Sequence, residues 1–439
     1  MRHHSFRALA WCMLLVAYTT DLSSATESSR RLLFAENKVL TSLHDAADRP
    51  ASYPARGLDT AALARGSLRG KASVAAVAVA SAKSPQAPGL QQRQQQPSLF
   101  QEPRAVGSPG RMTPAEALPQ GPGGGYPQHY PLLDVIKNWS PDNTSLPERY
   151  YDSMRHFDYS DPSQRAEMLR FREAEVPFVV RRVPTIDSAV RRWTLRYMAD
   201  KLGGAKVRTE VSQSNHHMYF RQSYYGGPKG WHPPMRWDKL TFEQWLGHAN
   251  VPDAQSAPDK PHWYFRLDWK RHKQRGTTQW VYDELEPVFG MRKGDFIVDP
   301  RGHRGINCRL GMRGVLAEAH FDSSRNFIVM LKGAKRYILA EPRECSNLHY
   351  YRHPHPSARH TAADYSNYSS VDLRKFPDLR RAKLHEVVLH AGEMLYLPTY
   401  WNHNIVSLGL NMQCNTRSGV PTARDPSGPP NHDAIKGCM

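Results

Sequence analysis

The sequence predicts a mainly β protein, a jelly-roll-type sandwich or barrel with flanking helices, preceded by a disordered N-terminal region. Two observations support this fold class. Short apolar runs of strand length, separated by tight glycine-containing turns, are frequent in the second half of the chain. Bulky apolar side chains are sparse before about residue 126, and hydrophobic residues make up only 40% of the chain, so part of it lacks the apolar surface that folding needs.

Residues 1–25 have the layout of a secretory signal peptide. Arg2 and Arg7 precede an apolar run from Ala8 to Tyr18, and small residues follow up to Ala25. The apolar run is too short to span a bilayer, and no later segment approaches the required length. We therefore expect residues 1–25 to be cleaved and the protein to be lumenal or secreted. A retained signal anchor or a chance apolar stretch is the alternative.

The glycosylation triplets and the cysteines fit the same route. Asn-X-Ser/Thr triplets begin at Asn138, Asn143 and Asn367, so a glycoprotein is expected, although such triplets also arise by chance. The cysteines beyond the signal peptide allow three disulfide pairings in an oxidising compartment, and the sequence does not choose among them. No Cys-X-X-Cys motif occurs, so a structural zinc site is not expected. The cysteines concerned are Cys308, Cys345, Cys414 and Cys438.

Residues 26–125 are predicted to be a disordered low-complexity linker. Alanine-rich stretches give way to a glutamine-rich run and then to a proline- and glycine-rich run that ends at Gly125. Such a composition offers little apolar burial to offset the entropy lost on ordering. Aromatic residues become frequent from about Tyr130, so we expect the folded domain over 126–425 and a flexible tail over 426–439.

The first part of the folded domain mixes strand and helix patterns. The segments 176–180, 207–211 and 263–267 have the length and apolar content of strands. The apolar spacing over 186–202 predicts one helix. Thr241 is a favourable N-cap for a further helix that directly follows it.

Four strands near the end of the chain are predicted to form two hairpins. Segments 326–331 and 335–339 flank one glycine-containing turn, and 386–389 and 394–397 flank another. The polar segment 340–384 between the hairpins is long for a loop, which indicates a functional or mobile insertion. Our hypothesis is that it helps to shape a substrate groove, and a structural role is the alternative. The spacing of its histidines fits no compact metal site, so we expect a solvated loop there; they are His349, His353, His355 and His360.

His320 and Asp322 are ligand-type residues two positions apart. In an extended strand, residues i and i+2 project from the same face, so an imidazole and a carboxylate held there can share one metal ion. His403, just beyond the second predicted hairpin, is the candidate third ligand. Two histidines and a carboxylate on one face form the facial triad that suits Fe(II) and oxygen chemistry. Ordinary polar residues in a sheet are the alternative, because a lone His-X-Asp triplet is a weak signal.

Lys335 lies on the strand after the first glycine turn, from which its side chain can reach into a barrel. There an ammonium group can pair with an anionic co-substrate. A solvent-facing lysine is the alternative, since Arg336 is adjacent.

Two blocks of the sequence resemble a known family. GMRGVLAEAHFDSSRNFIVMLKGAKRYIL and GEMLYLPTYWNHNIVSLGLNMQCNTRSG are similar to the signature blocks of the JmjC/cupin-type dioxygenases, which depend on Fe(II) and 2-oxoglutarate. Within this family, the blocks resemble the asparaginyl hydroxylase of the hypoxia pathway and its cupin-like relatives. The resemblance is specific over 311–419, weaker over 176–310 and absent before residue 126. It implies a double-stranded β-helix, the cupin barrel.

The resemblance also implies roles for single residues. His320, Asp322 and His403 match the iron ligands and therefore the catalytic centre. Lys335 matches the residue that binds the distal carboxylate of 2-oxoglutarate. Asn326 and Asn415 are implied to lie beside this co-substrate, and satisfying backbone donors is the alternative for both. Tyr264, from a looser part of the alignment, is implied to donate to the same carboxylate, and packing is its alternative.

Two positions depart from the family pattern. Ala317 stands where threonine or serine is common, so one hydrogen bond to 2-oxoglutarate is missing or supplied elsewhere. Asn402 stands where an aromatic residue is common, which would change the wall of the pocket.

The chain is strongly basic, with a net charge of +18. A basic surface suits acidic substrates, anionic glycans or membrane headgroups, and colloidal solubility is the simpler reading. No RNP, zinc-finger or helix-turn-helix pattern is present, so no nucleic-acid partner is expected.

These observations together predict an Fe(II)/2-oxoglutarate-dependent dioxygenase that consumes O₂, uses ascorbate as reductant and hydroxylates a protein or peptide side chain. The aspartate ligand, where histone demethylases of the family have glutamate, favours the hydroxylase side. One alternative is a metal-binding cupin without oxygenase activity. Another is a pseudoenzyme that acts as a binding module. The oligomeric state is not indicated by the sequence.

Overall fold

A computed structural model describes residues 99–102, 110–111, 126, 128–221, 227–269, 278–292, 294–419 and 431–438. All of them fall within one compact unit, Gln92–Met439. The predicted signal peptide and nearly all of the predicted linker lie outside the described residues. Within the described residues, no helix has the length and apolar character needed to cross a membrane.

Strands dominate the described residues. In chain order they are β1 (Gly110–Arg111), β2 (Tyr130–Pro131), β3 (Arg149–Tyr150), β4 (His156–Asp158), β5 (Phe178–Arg181), β6 (Val207–Ser212), β7 (His216–His217), β8 (Arg236–Leu240), β9 (His262–Trp269), β10 (His303–Gly311), β11 (Leu316–Phe321), β12 (Arg325–Lys332), β13 (Ala334–Ala340), β14 (Lys383–His390), β15 (Met394–Leu397), β16 (Asn402–Ser407) and β17 (Asn411–Ser418).

The helices are short and lie mostly before β10. They are α1 (Leu132–Asn138), α2 (Pro162–Glu173), α3 (Pro184–Arg192), α4 (Leu195–Leu202), α5 (Phe242–Ala249), α6 (Gln279–Phe289), α7 (Cys345–Leu348) and α8 (His432–Ile435).

Two sheets form the body of the domain. The nine-stranded sheet has the order β4-β5-β15-β12-β17-β10-β9-β6-β8, and the six-stranded sheet has the order β2-β14-β13-β16-β11-β7. From β10 to β17 the chain passes back and forth between the sheets: β10, β12, β15 and β17 belong to the larger one, and β11, β13, β14 and β16 to the smaller one. This winding is a double-stranded β-helix, so the predicted fold class is confirmed.

The two predicted hairpins are wrong in their pairing. β12 pairs with β15 and β17, whereas β13 pairs with β14 and β16. β14 and β15 likewise belong to different sheets. Gly333 alone connects β12 to β13 with a φ of +67°, and a Cβ there would lie 2.5 Å from the carbonyl oxygen of Leu410. The glycine turn therefore carries the chain from one sheet to the other rather than back along the same sheet.

Burial on both faces of the larger sheet explains why a strand such as β12 has a continuous run of apolar residues. In β12, Phe327, Val329 and Leu331 belong to the apolar cluster that includes the helices, whereas Ile328 and Met330 belong to the cluster between the sheets. A two-stranded hairpin with a solvated face would instead alternate apolar and polar residues. The larger sheet is thus covered by helices on one side and by the smaller sheet on the other.

The earlier helices and strands largely follow the predictions. β5, β6 and β9 confirm the three predicted strands, and Thr241 caps α5 through a capping box with Gln244. The single helix predicted over 186–202 is wrong, because the chain breaks into α3 and α4. Thr194 has an extended backbone there, and its side-chain oxygen accepts a hydrogen bond from the backbone N–H of Tyr197, which begins the second helix.

The segment between β13 and β14 packs against the outer face of the smaller sheet. Leu348, Tyr365 and Leu379 share an apolar cluster with Ile338 of β13. The expected solvated loop is therefore wrong for much of this segment, because its apolar side chains cover a sheet face that would otherwise meet water. Its buried His360 forms a β-bridge with His320 of β11.

The disulfides and the end of the chain complete the domain. Cys308 of β10 is bonded to Cys414, its register partner in β17, and Cys345 is bonded to Cys438. The flexible tail predicted over 426–439 is corrected for the described residues 431–438. They form α8 and a 3-10 turn, held by the second disulfide and by Ile435, which is fully buried.

Candidate metal centre

The candidate metal ligands come together on the smaller sheet. β11 and β16 are antiparallel neighbours, and His320 is the register partner of His403. Their ring centroids are 4.2 Å apart. Asp322 follows the last residue of β11. One potential ligand atom from each of the three residues lies within 4.8 Å of the other two.

Both histidines present the same nitrogen to this centre. Nδ1 of His320 lies 2.7 Å from the carbonyl oxygen of Glu318, and Nδ1 of His403 lies 3.0 Å from that of Trp401. A carbonyl oxygen only accepts, so Nδ1 carries the proton in each ring. Nε2 is left with a lone pair, the form in which histidine binds metals. Burial lowers the pKa of both rings, which keeps them neutral.

Asp322 is a buried carboxylate held between two arginines. Burial by itself raises the pKa of its carboxyl group, but Arg417, His320 and Arg359 outweigh burial, and the net pKa is lowered. Arg359 Nη1 donates to Oδ1 at 3.2 Å, and Arg417 Nη2 lies 2.5 Å from Oδ2. The group is therefore ionised, as a metal ligand must be.

The donor set fits a divalent metal ion. Asp322 Oδ2 is buried, has no partner in hydrogen-bond geometry among the described residues, and lies 3.9 Å from His403 Nε2. Two neutral imidazoles and one carboxylate with open positions form the set that suits non-haem Fe(II). Arg417 Nη2 already contacts the same carboxylate oxygen, so an ion at this centre would compete with the guanidinium group for Asp322 Oδ2.

Lys335 and Tyr264 meet inside the barrel. Lys335 is fully buried on β13, and its Nζ donates to the Tyr264 hydroxyl oxygen at 2.7 Å across the gap between the sheets. Burial lowers the pKa of Lys335 well below its ordinary value, and Arg309 adds to the effect. Burial raises the pKa of Tyr264, so its hydroxyl group stays protonated. The solvent-facing alternative for Lys335 is excluded by this burial.

Asn326 and Asn415 also form a pair. Asn415 Nδ2 donates to Asn326 Oδ1 at 2.8 Å, and both side chains are buried on neighbouring strands of the larger sheet. Asn326 follows the same alternation along β12 as the inward-facing Ile328 and Met330. The pair therefore lies between the sheets, as the predicted role beside a co-substrate requires.

Ala317 and Asn402, the two positions that depart from the family pattern, lie in different surroundings. Ala317 lies on β11 beside His217, a buried residue of β7 whose Nε2 has no hydrogen-bond partner among the described residues. Asn402 does not line the pocket, because alternation along β16 places it on the opposite face from His403. Its side chain instead accepts a hydrogen bond from Tyr365 at 3.4 Å.

Sequence reasoning missed three neighbours of the centre. Arg417 lies two positions after Asn415 on β17, so the same-face rule could have found it. His360 stacks on His320 with ring centroids 4.9 Å apart, and Arg359 beside it reaches Asp322. No local pattern marks these two, because the long segment between β13 and β14 brings them back to β11.

Comparisons with known proteins identify a family and several relatives. The family described as "Cupin-like domain" matches residues 164–416, a range that contains every predicted site residue. The tRNA wybutosine-synthesizing protein 5 of Danio rerio is 23% identical over 242 residues, covering 54% of this chain and 67% of that protein. HSPB1-associated protein 1 of Homo sapiens is 22% identical over 223 residues, covering 51% of this chain and 43% of that protein. JmjC domain-containing protein D of Dictyostelium discoideum is 36% identical over 109 residues, covering 24% of this chain and 22% of that protein.

Proposed function

The chain belongs to the cupin-like domain family, and we propose that it is an Fe(II)- and 2-oxoglutarate-dependent hydroxylase. The observation that carries the proposal is the combination of two sites in one barrel. His320, Asp322 and His403 form a three-ligand set on one strand pair, and Lys335 places a buried ammonium group between the same two sheets. A metal-binding cupin of another kind needs the first site but not the second.

Each residue has a defined task in this proposal. The two histidines and the aspartate would hold the iron, which would supply the chemistry that couples oxidative decarboxylation of 2-oxoglutarate to hydroxylation of the substrate. Lys335 would pair with the distal carboxylate of 2-oxoglutarate, and the hydroxyl group of Tyr264 would donate a hydrogen bond to the same carboxylate. Asn326 and Asn415 flank the co-substrate.

The interior of the barrel supports the co-substrate role. A buried ammonium group without an anion is unfavourable, and the only hydrogen bond that Lys335 Nζ makes among the described residues is to a neutral hydroxyl group. A dicarboxylic acid provides the missing negative charge. The larger and smaller sheets exclude water from that pairing, which strengthens it.

We assign a protein or peptide side chain as the substrate. Support comes from the relatives: one is named for association with HSPB1, a protein partner. A nucleic-acid substrate is the second candidate, because another relative is named for tRNA wybutosine synthesis and this chain carries a net charge of +18. Mass spectrometry of peptide and RNA pools after incubation separates them, since only the true substrate gains the mass of oxygen.

We also propose that the protein acts in the secretory pathway. The two disulfides are of the kind that form and persist in oxidising compartments. Asn138 and Asn143, which begin two glycosylation triplets, are both exposed. Expression of the full chain in animal cells should yield a glycosidase-sensitive protein in the secretory pathway; a cytosolic, unglycosylated product would contradict this location.

The activity is tested in two stages with the purified full chain. Without oxygen, addition of Fe(II) and then 2-oxoglutarate should produce the charge-transfer absorption of a chelated 2-oxo acid, which needs no substrate. With oxygen and ascorbate, succinate should accumulate. His403→Ala should lose both signals, while His232→Ala, at an exposed position, should keep them.

The outcomes also separate the alternatives. Iron binding without charge-transfer absorption or succinate would indicate a metal-binding cupin of another activity. Absence of iron binding in the unaltered protein would indicate a pseudoenzyme and would overturn the proposal.

A further inference from the structure

A second group of metal-ligand side chains lies on the smaller sheet, away from the first. His129 directly precedes β2, Glu341 directly follows β13, and His385 lies on β14, which runs between those two strands. One potential ligand atom from each lies within 4.8 Å of the other two. None of these residues is part of the hydroxylase site, and no sequence pattern indicated them.

His385 has the same arrangement as the histidines of the first site. Its side chain is fully buried, and Nδ1 lies 2.5 Å from the carbonyl oxygen of Gln128, so Nδ1 carries the proton. Nε2 is left with a buried lone pair that has no hydrogen-bond partner among the described residues. Leaving such an acceptor without a partner is unfavourable, and a metal ion is one way to satisfy it.

Glu341 and His129 supply the other donors. Nε2 of His129 lies 3.0 Å from Glu341 Oε1, and the rings of His129 and His385 have centroids 4.6 Å apart. Arg343 contacts both Glu341 and the Nε2 of His129. Its guanidinium group is mostly exposed, so it can swing away when a cation enters.

The two groups are separate sites. His385 and His403 pair with Leu339 of β13 from opposite sides, so two strand spacings, roughly 10 Å, separate their backbones. No ligand residue is common to both groups.

We propose that His129, Glu341 and His385 bind a zinc-type divalent cation. Two imidazoles and one carboxylate with an open fourth position are a known zinc ligand set. β2 pairs with β14 through only two residues, which makes this edge of the smaller sheet weakly held. An ion bound by His129, which directly precedes β2, and by His385 of β14 would stabilise the edge. The inference does not depend on the proposed hydroxylase activity.

The test counts zinc in a full-length protein that lacks the first site. The double variant Asp322→Ala/His403→Ala is incubated with zinc chloride, passed through gel filtration and analysed for bound zinc. We expect one zinc ion per chain and a raised melting temperature, because an ion that binds only the folded state stabilises it. Co(II) in place of zinc should give the visible absorption of a four-coordinate site.

Two ligand variants and one control are compared in that background. Glu341→Gln, which preserves shape, and His385→Asn should each lose the bound zinc while keeping the circular dichroism spectrum of their parent. His232→Ala should retain it. Arg343→Gln should bind zinc about tenfold more tightly, since it removes a competing cation. Absence of zinc in the parent, or retention by both ligand variants, would overturn the proposal.

Discussion

The ammonium nitrogen of Lys335 lies 2.7 Å from the hydroxyl oxygen of Tyr264, although the two residues belong to different sheets. This contact crosses the interior of the barrel and leaves a cationic group without a carboxylate partner among the described hydrogen bonds. Because Arg309 adds positive charge nearby, the pKa of Lys335 is lowered further beyond the effect of burial. The interior is therefore suited to an anion that neutralises the lysine.

Replacing Lys335 by methionine tests this interpretation through co-substrate binding. Lys335→Met removes the charge while filling similar space, so the affinity for 2-oxoglutarate should fall about tenfold to a hundredfold, the contribution of one charged hydrogen bond. Iron affinity should be preserved. Calorimetric titration of 2-oxoglutarate into the Fe(II)-loaded protein measures the first affinity, and anaerobic titration of Fe(II) into the metal-free protein measures the second. Lys383→Met, at an exposed position on β14, is the control, and an unchanged affinity in Lys335→Met would contradict the assigned role.

The same variant has a predictable pH dependence of stability. A lysine whose pKa is lowered in the folded state binds more protons when unfolded, so the folded protein loses stability as pH falls below the ordinary value of 10.5. Lys335→Met lacks this loss. The difference in free energy of unfolding, taken as the variant minus the unaltered protein, should therefore be more positive at pH 7 than at pH 10. Urea titrations at both pH values measure the difference, and an equal or reversed difference would contradict the lowered pKa.

Arg417 is expected to weaken metal binding at the first site. Its guanidinium nitrogen lies 2.5 Å from Asp322 Oδ2, so it competes with a metal for that oxygen and repels the ion's charge. Arg417→Gln should therefore bind Mn(II), a stand-in for Fe(II), about tenfold more tightly, and Arg417→Lys should resemble the unaltered protein. The titrations use a Glu341→Gln background, so that the proposed second metal site does not contribute to the measured binding. Weaker binding in Arg417→Gln would show that the arginine supports the ligand instead.

His217 is expected to contribute to acid destabilisation. Burial lowers its pKa to about 4, so the folded state holds it neutral while the unfolded state takes up a proton below the ordinary value of 6.5. The free energy of unfolding should thus decrease as pH falls from 6.5 to about 4. His217→Phe should reduce the slope by up to about 1.4 kcal/mol per pH unit, the effect of one proton. Denaturant titrations from pH 7 to 4 measure it, and a slope as steep as that of the unaltered protein would exclude the contribution.

The disulfide between Cys345 and Cys438 should fasten α8 to the domain. The cross-link closes a loop with a sequence separation of 93 residues, so replacing both cysteines by serine should lower the free energy of unfolding by about 2–5 kcal/mol. Peptide mapping without reduction should recover this pair and the Cys308–Cys414 pair. A free thiol at Cys438 would contradict the attachment, and the double serine variant of Cys308 and Cys414 serves as the comparison.

Local sequence patterns determined much of the fold. The β-rich fold class, β5, β6 and β9, and the cap at Thr241 follow from side-chain alternation and from hydrogen bonds between near neighbours. These features depend on the few residues that surround each position, so a single sequence contains them. The same reasoning placed Lys335 on an inward-facing strand position and identified three potential ligands.

Strand pairing and long-range contacts were decided only by the tertiary structure. A glycine turn between two apolar runs suits a hairpin or a crossing between sheets equally well, and only the partners of β12 and β13 distinguish them. The approach of Arg417 and Arg359 to Asp322, and the grouping of His129 with Glu341 and His385, join segments far apart in sequence. Apolar periodicity carries no record of such contacts, because it reports which face is buried and not what lies against it.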